Sequence, residues 1–350
     1  MRVLVADDSP VARGLIREIL EGDGSICVVG EAKNGREAVE LCRELKPDIV
    51  TMDLRMPVMD GIDAIGEIMA YNPVPILVVS SAADASEAYE AIQRGALETV
   101  DKERITAADG AEFATKVKTL STIRVITHIR PGNRGEAPRR DAVEGEKAAP
   151  SFAPASSPQV FAIASSTGGP QALALILGAL PARFPCPILV AQHMTYGFAP
   201  GLAKWLASIS ELPVRIAAEG EPLEAGRVFL SPSERNLSVS ASRRVVLAEP
   251  GEHQVFHPTC DVLLSSVAEV YGRSGVGVIL TGMGTDGASG IRRLREAGGH
   301  TMAQDEASSI VFGMNKTAID MGAVRQVLPV ERIAAEMCRL CALPPAEARR

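Results

Sequence analysis

Val160-Phe161-Ala162-Ile163-Ala164-Ser165-Ser166-Thr167-Gly168-Gly169-Pro170 is the stretch on which the fold of this 350-residue chain turns. Five apolar residues give way to small hydroxyl side chains, two glycines and a proline. That order predicts a buried strand, a tight loop and the first turn of a helix in quick succession. A turn of this kind lifts one hydroxyl above the end of a sheet. The neighbouring backbone amide and the helix N-terminus behind it favour developing negative charge, as acyl transfer at a serine requires. Ser166 is therefore a candidate nucleophile.

On either side the alternation of apolar runs and amphipathic segments continues. Downstream, residues 188–191, 214–217, 227–230, 245–247, 276–280 and 301–303 read as strands, and 260–271 and 288–297 as helices. The weakly alternating segment 237–247 reads as a β-hairpin inserted into the α/β pattern. Upstream, residues 3–6, 27–30, 48–52, 76–80 and 97–100 are strand candidates with helical patterns between them, which predicts a doubly wound parallel sheet with functional groups at the carboxyl ends of its strands. Between the two units the periodicity fades into a stretch rich in Pro, Gly, Ala and charge. This gives a first unit over 1–121, a linker over 122–157 and a second unit over 158–345.

Composition narrows the class. Apolar residues make up 46% and charged residues 23% of the chain, enough for two packed cores and a solvated surface. No apolar run approaches bilayer length, and Asp7-Asp8 interrupts the first apolar run, so membrane insertion and a signal peptide are not expected and the location is read as cytoplasmic. The net charge of −7 is concentrated in the first unit at −9, with the linker at +2 and the remainder neutral, so nothing basic marks a nucleic-acid partner. Six scattered cysteines fit reduced thiols. Cys338 and Cys341 alone have ligand-like spacing, and without a second pair they read as helix packing.

Two sites emerge at predicted strand ends. In the first unit Asp7, Asp8 and Asp53 converge, with Ser80 and Lys102 completing the ring. Clustered carboxylates are the ligands Mg²⁺ prefers, and a lysine and a hydroxyl around one of them suit phosphoryl transfer onto Asp53. In the second unit His193 ends an apolar strand and Asp286 lies in the glycine-rich turn Thr281-Gly282-Met283-Gly284-Thr285-Asp286-Gly287. His193 would act as base toward Ser166, Asp286 would orient His193, and the amides of Thr167 and Met283 would hold an oxyanion. Taken singly, Gly168-Gly169 could be a plain turn, His193 a core histidine and Asp286 the N-cap of a helix starting near Ala288. A non-catalytic partner-binding second unit is the rival reading.

The residues resemble two known families. Asp7-Asp8-Ser9, Asp53 through Gly61, Val79-Ser80-Ser81 and Lys102 resemble the motif set of response-regulator receiver domains, with Glu103 where that family usually has proline. The resemblance implies a flavodoxin-like (βα)5 fold, phosphate accepted on Asp53 from a chemotaxis histidine kinase, and the backbone carbonyl of Arg55 joining the carboxylates on Mg²⁺. Ser165 through Pro170, Ala191-Gln192-His193-Met194, Leu280 through Gly287 and the segment 303–314 resemble the CheB protein-glutamate methylesterase family. That implies a doubly wound, mostly parallel α/β domain that needs no cofactor. It also implies hydrolysis of glutamate γ-methyl esters on methyl-accepting chemoreceptors with release of methanol, and glutamine deamidation. A monomer is expected, with the unmodified receiver covering the Ser166 cleft.

Overall fold

A computed structural model of the chain describes residues 1–106, 110–123, 125, 157–251 and 258–343. The first unit alternates β1 (Arg2–Ala6), α1 (Pro10–Gly22), β2 (Cys27–Ala32), α2 (Gly35–Leu45), β3 (Ile49–Met52), α3 (Gly61–Tyr71), β4 (Ile76–Ser80), α4 (Ala85–Gln93), β5 (Glu98–Asp101) and α5 (Gly110–Ser121). Local chemistry starts these helices: the side chains of Ser9, Asn34 and Asp60 accept from the amides of Ala12, Glu37 and Asp63, satisfying donors that a helix start leaves unpaired. The strands pair in parallel in the order β2-β1-β3-β4-β5. The order reverses between β1 and β3, so the ligand crevice lies above their carboxyl ends.

The second unit contains β6 (Val160–Ser165), α6 (Gly169–Ala179), β7 (Ile188–Gln192), α7 (Ala199–Ile209), β8 (Val214–Ile216), β9 (Val228–Leu230), β10 (Asn236–Val239), β11 (Val245–Ala248), α8 (Cys260–Tyr271), β12 (Gly275–Ile279), α9 (Ala288–Glu296), β13 (His300–Gln304), α10 (Met314–Asp320), β14 (Gln326–Leu328) and α11 (Val330–Leu340). Seven strands form a sheet ordered β14-β13-β12-β6-β7-β9-β8, and every pairing in it is parallel. β10 and β11 form the expected hairpin as a separate antiparallel ribbon. β6, β7, β12 and β13 are buried on both faces, which explains why the first three read as apolar runs. β6 lies between β7 and β12, so its carboxyl end is again the switch point, and Ser166 follows it directly.

The short edge strand β14 was not among the expected strands; its half-exposed Gln-Val-Leu carries too little apolar pattern. Most of the linker, positions 124 and 126–156, lies outside the described residues, as do His128, His253, His257 and positions 344–345 at the end of the expected second unit. Among the described residues no helix is long and apolar enough to cross a membrane. One apolar cluster joins the two units: Ala85, Ala88, Tyr89 and Ile92 of α4 belong with Phe161, Leu202, Trp205 and Leu206.

Candidate active site and phosphoacceptor site

The serine turn is fixed from both sides. The Ser166 amide donates to the carbonyl of Thr281 at 3.0 Å, and the Thr281 hydroxyl donates to the carbonyl of Thr167 at 2.9 Å. Gly168 has φ +78°, a left-handed conformation that glycine adopts without strain. Gly282 lies against Ser166: a Cβ added there would come 2.7 Å from the Ser166 Cβ. The adjacent Met283, whose amide was the second oxyanion candidate, is therefore one residue from that contact. Ser165 is fully buried and donates to Gln192 Oε1 at 2.6 Å, whereas Ser166 remains partly exposed.

Gln192 was not a candidate from the sequence. Its side-chain amide donates to the carbonyls of Ser166 at 2.8 Å and His193 at 2.7 Å. The chain ends carrying Ser166 and His193 are thereby clamped to each other. Its position at a strand end before His193 was the signal, but the partners of a buried amide cannot be read from one strand.

His193 Nε2 lies 2.7 Å from Asp286 Oδ2. Asp286 also accepts from the amides of Cys260 at 2.7 Å, Asp261 at 3.0 Å and Gly287 at 3.0 Å, and from the Thr259 hydroxyl at 3.0 Å. The carboxylate thus rests on the N-terminus of α8, where the helix dipole favours negative charge. The N-cap of α9 is Gly287, not Asp286. Burial by itself raises the Asp286 pKa, but the His193 hydrogen bond and the amides of Cys260 and Asp261 outweigh it and hold the carboxyl below its ordinary value. With an ionised Asp286 accepting at Nε2, that nitrogen carries the imidazole proton, and the basic lone pair of a neutral ring sits on Nδ1. Cys260 Sγ is 3.5 Å from Nε2. Burial pushes that thiol well above its ordinary pKa, so it stays neutral beside the imidazole.

In the first unit Asp7, Asp8 and Asp53 bring carboxylate oxygens within 4.8 Å of one another. Lys102 Nζ bridges Asp7 Oδ2 and Asp53 Oδ2, each at 2.7 Å. Burial raises the Asp53 pKa despite the lysine, and Lys102 is raised in turn because its two carboxylate hydrogen bonds outweigh its own burial. Ser80 is buried beside them, and its hydroxyl oxygen has no hydrogen-bond partner among the described residues. An orphaned buried hydroxyl next to an acidic cluster fits a group that accepts phosphate, and three oxygen ligands fit a hard divalent cation. Arg55 sits in the loop after β3 with its guanidinium on Asp84 and Glu87. Glu103, at the position where the receiver family has proline, uses the amide that proline lacks: it donates to Asp101 Oδ1 at 3.1 Å.

One face of the first unit lies over the serine cleft, as expected. Tyr89, Ile92, Leu97 and Glu98 line the same narrow cleft as Ser166 and His193. The Thr167 hydroxyl donates to Glu98 Oε2 at 2.6 Å, and Gln171 Nε2 donates to the Ala96 carbonyl at 3.1 Å. The rings of Tyr89 and Trp205 stack with centroids 5.8 Å apart, and the Arg104 guanidinium sits 5.2 Å from the Tyr196 ring centre. α7 meets α4 at Gly201, where an added Cβ would come 2.5 Å from the Ala85 carbonyl oxygen. Cys338 is buried, and Cys341 Sγ lies 3.9 Å from Cys186 Sγ.

A parallel unit with an acidic crevice and lysine, seated over a second parallel unit with a strand-end serine, histidine and aspartate, defines a class: response regulators whose output domain is an α/β enzyme. Comparison with known proteins makes this particular. Residues 161–337 match the family described as CheB methylesterase and residues 3–108 the response regulator receiver domain. The chain belongs to the CheB methylesterase family. It is 50% identical over 353 residues to protein-glutamate methylesterase/protein-glutamine glutaminase 3 of Paramagnetospirillum magneticum, covering 97% of this chain and 95% of that protein. It is 44% identical to protein-glutamate methylesterase/protein-glutamine glutaminase 2 of Anaeromyxobacter dehalogenans, over 95% of each chain. The crystal structure of the Thermotoga maritima CheB methylesterase catalytic domain superposes with a TM-score of 0.51 at 38% identity, covering 53% of this chain and all of that one.

Proposed function

We propose that the chain is a phosphorylation-activated serine esterase that hydrolyses glutamate γ-methyl esters on chemoreceptors, releasing methanol, and deamidates receptor glutamines to glutamate. The observation that carries this reading is the 2.7 Å His193–Asp286 pair beside the serine turn, in a chain of this family. Ser166 Oγ attacks the γ-carbonyl while His193 Nδ1 takes its proton. The tetrahedral oxyanion is held by the amides of Thr167 and Met283, and Asp286 stabilises the imidazolium. Collapse expels the alkoxide, which receives the proton from His193 and leaves as methanol; a glutamine substrate releases ammonia instead. Water deprotonated by His193 then hydrolyses the acyl-serine and returns the proton to Ser166 Oγ.

Control enters through Asp53, which accepts phosphate from a chemotaxis histidine kinase. Asp7, Asp8, Asp53 and the Arg55 carbonyl would hold Mg²⁺, which when bound offsets the charge of the phosphoryl group. Lys102 and Ser80 would turn toward the phosphoryl oxygens. Lys102 and Arg104 share one 3-10 turn, so a lysine drawn to phosphate tugs on the Arg104–Tyr196 contact and loosens the cover by a few kcal/mol. A cytoplasmic monomer of residues 1–121, 122–157 and 158–345 accounts for this arrangement. Methanol release from methylated receptor, measured with wild type and Ser166→Ala with and without a phosphodonor, tests it. Hydrolysis is expected only with Ser166 and is expected to rise with the phosphodonor; four equal rates would overturn the assignment.

A further inference from the structure

We propose that the Thr167 hydroxyl is the subsite for the γ-carboxyl group of the substrate side chain, and that Glu98 of the receiver occupies it in the closed form as a built-in product. This rests on the esterase reading. The product of that reaction is a glutamate side chain leaving the serine turn, and Glu98 is a glutamate side chain lodged there by the chain itself. It is the only carboxylate among the described residues lining the cleft. Its Oε2 accepts from Thr167 Oγ1 at 2.6 Å, within the range of a charge-assisted O–H to carboxylate bond. Its other oxygen is paired with Lys116 of α5, so the receiver presents the carboxylate from a fixed mount. Thr167 is itself held: its side chain is buried and its carbonyl is tied to Thr281.

The closed receiver therefore blocks more than access. It satisfies a hydroxyl donor that would otherwise meet an ester carbonyl, a glutamine carbonyl or the product carboxylate, all of which accept a hydrogen bond in the same way. A free demethylated receptor fragment and Glu98 should compete for one donor.

The experiment uses the full-length protein without phosphodonor, methanol release from a methylated receptor fragment, and inhibition by the same fragment demethylated. Glu98→Ala is expected to raise the rate about tenfold, the worth of a lost hydrogen bond to a charged group, and to make the demethylated fragment a tighter inhibitor by a similar factor. Lys116→Met, which loosens the mount, should move both in the same direction but less. Adding Thr167→Val to Glu98→Ala should raise KM and weaken the inhibitor by a similar factor, and Thr167→Ser should restore both. Inhibitor affinity equal in wild type and Glu98→Ala would overturn the proposal whether or not the valine variant folds. So would an inhibitor unaffected by a folded Thr167→Val. Ser166→Ala combined with Glu98→Ala separates the two readings: methanol still released there sinks the esterase mechanism, whereas its loss together with an unmoved inhibitor sinks only the subsite.

Discussion

Gln192 joins the two strand ends of the candidate site through three side-chain hydrogen bonds, to Ser165, Ser166 and His193. Gln192→Leu keeps the bulk but strands three hydrogen-bond partners, so an unfolding cost of about 2–3 kcal/mol is expected. A fall in kcat of about a hundredfold should accompany it as serine and imidazole lose register; denaturation midpoints and methanol release check the two separately. Asp286 gives a second expectation. Its folded pKa lies below the unfolded 3.8, so its stabilisation is complete above the unfolded value and lost as pH falls through the lower folded one. Wild type and Asp286→Asn should therefore differ by a constant amount from about pH 5 to 8 and converge only in acid; a gap that closes already near neutrality would contradict this. Ser166, His193 and Asp286 were legible because each ends an apolar strand or follows one in a glycine turn. Gln192, Thr259 and Cys260 were not, because their roles lie in contacts to residues more than twenty positions away.

At the scale of elements, β6, β7 and β12 could be read directly from their apolar runs, while β14 could not. The sheet order was legible only as a rule about switch points, and the rule holds in both units. Helix α8 has a use invisible in its own sequence, since its first amides serve a carboxylate from a turn 25 residues later. The α4–α7 contact is another such case: Tyr89 and Trp205 look like ordinary core residues of separate units, yet they stack on each other. Gly201→Val should wedge α7 from the Ala85 backbone and raise activity several-fold without phosphodonor, by a steric cost of roughly 1–3 kcal/mol at the interface. A basal rate equal to wild type in the folded variant would show that this contact does not hold the receiver down.

For the whole molecule, a receiver covering the cleft was an expectation drawn from finding a switch and an enzyme in one chain. Which faces meet was not legible, because an apolar helix face gives the same pattern whether it packs on its own sheet or on a neighbouring unit. Asp53→Asn should abolish the response to phosphodonor while leaving the basal rate near wild type, and chelating Mg²⁺ should do the same to the unmutated protein. Activation surviving in Asp53→Asn would place the switch elsewhere. The apolar cluster shared by the two units adds a consequence of another kind. Opening the receiver exposes part of that cluster to water, so the closed–open balance carries a positive heat capacity and bends with temperature. Because apolar association weakens on cooling, the unphosphorylated protein should leak relatively more in the cold, and the ratio of activated to resting rate should shrink as temperature falls. The interface would thus set the thermal range over which the switch discriminates.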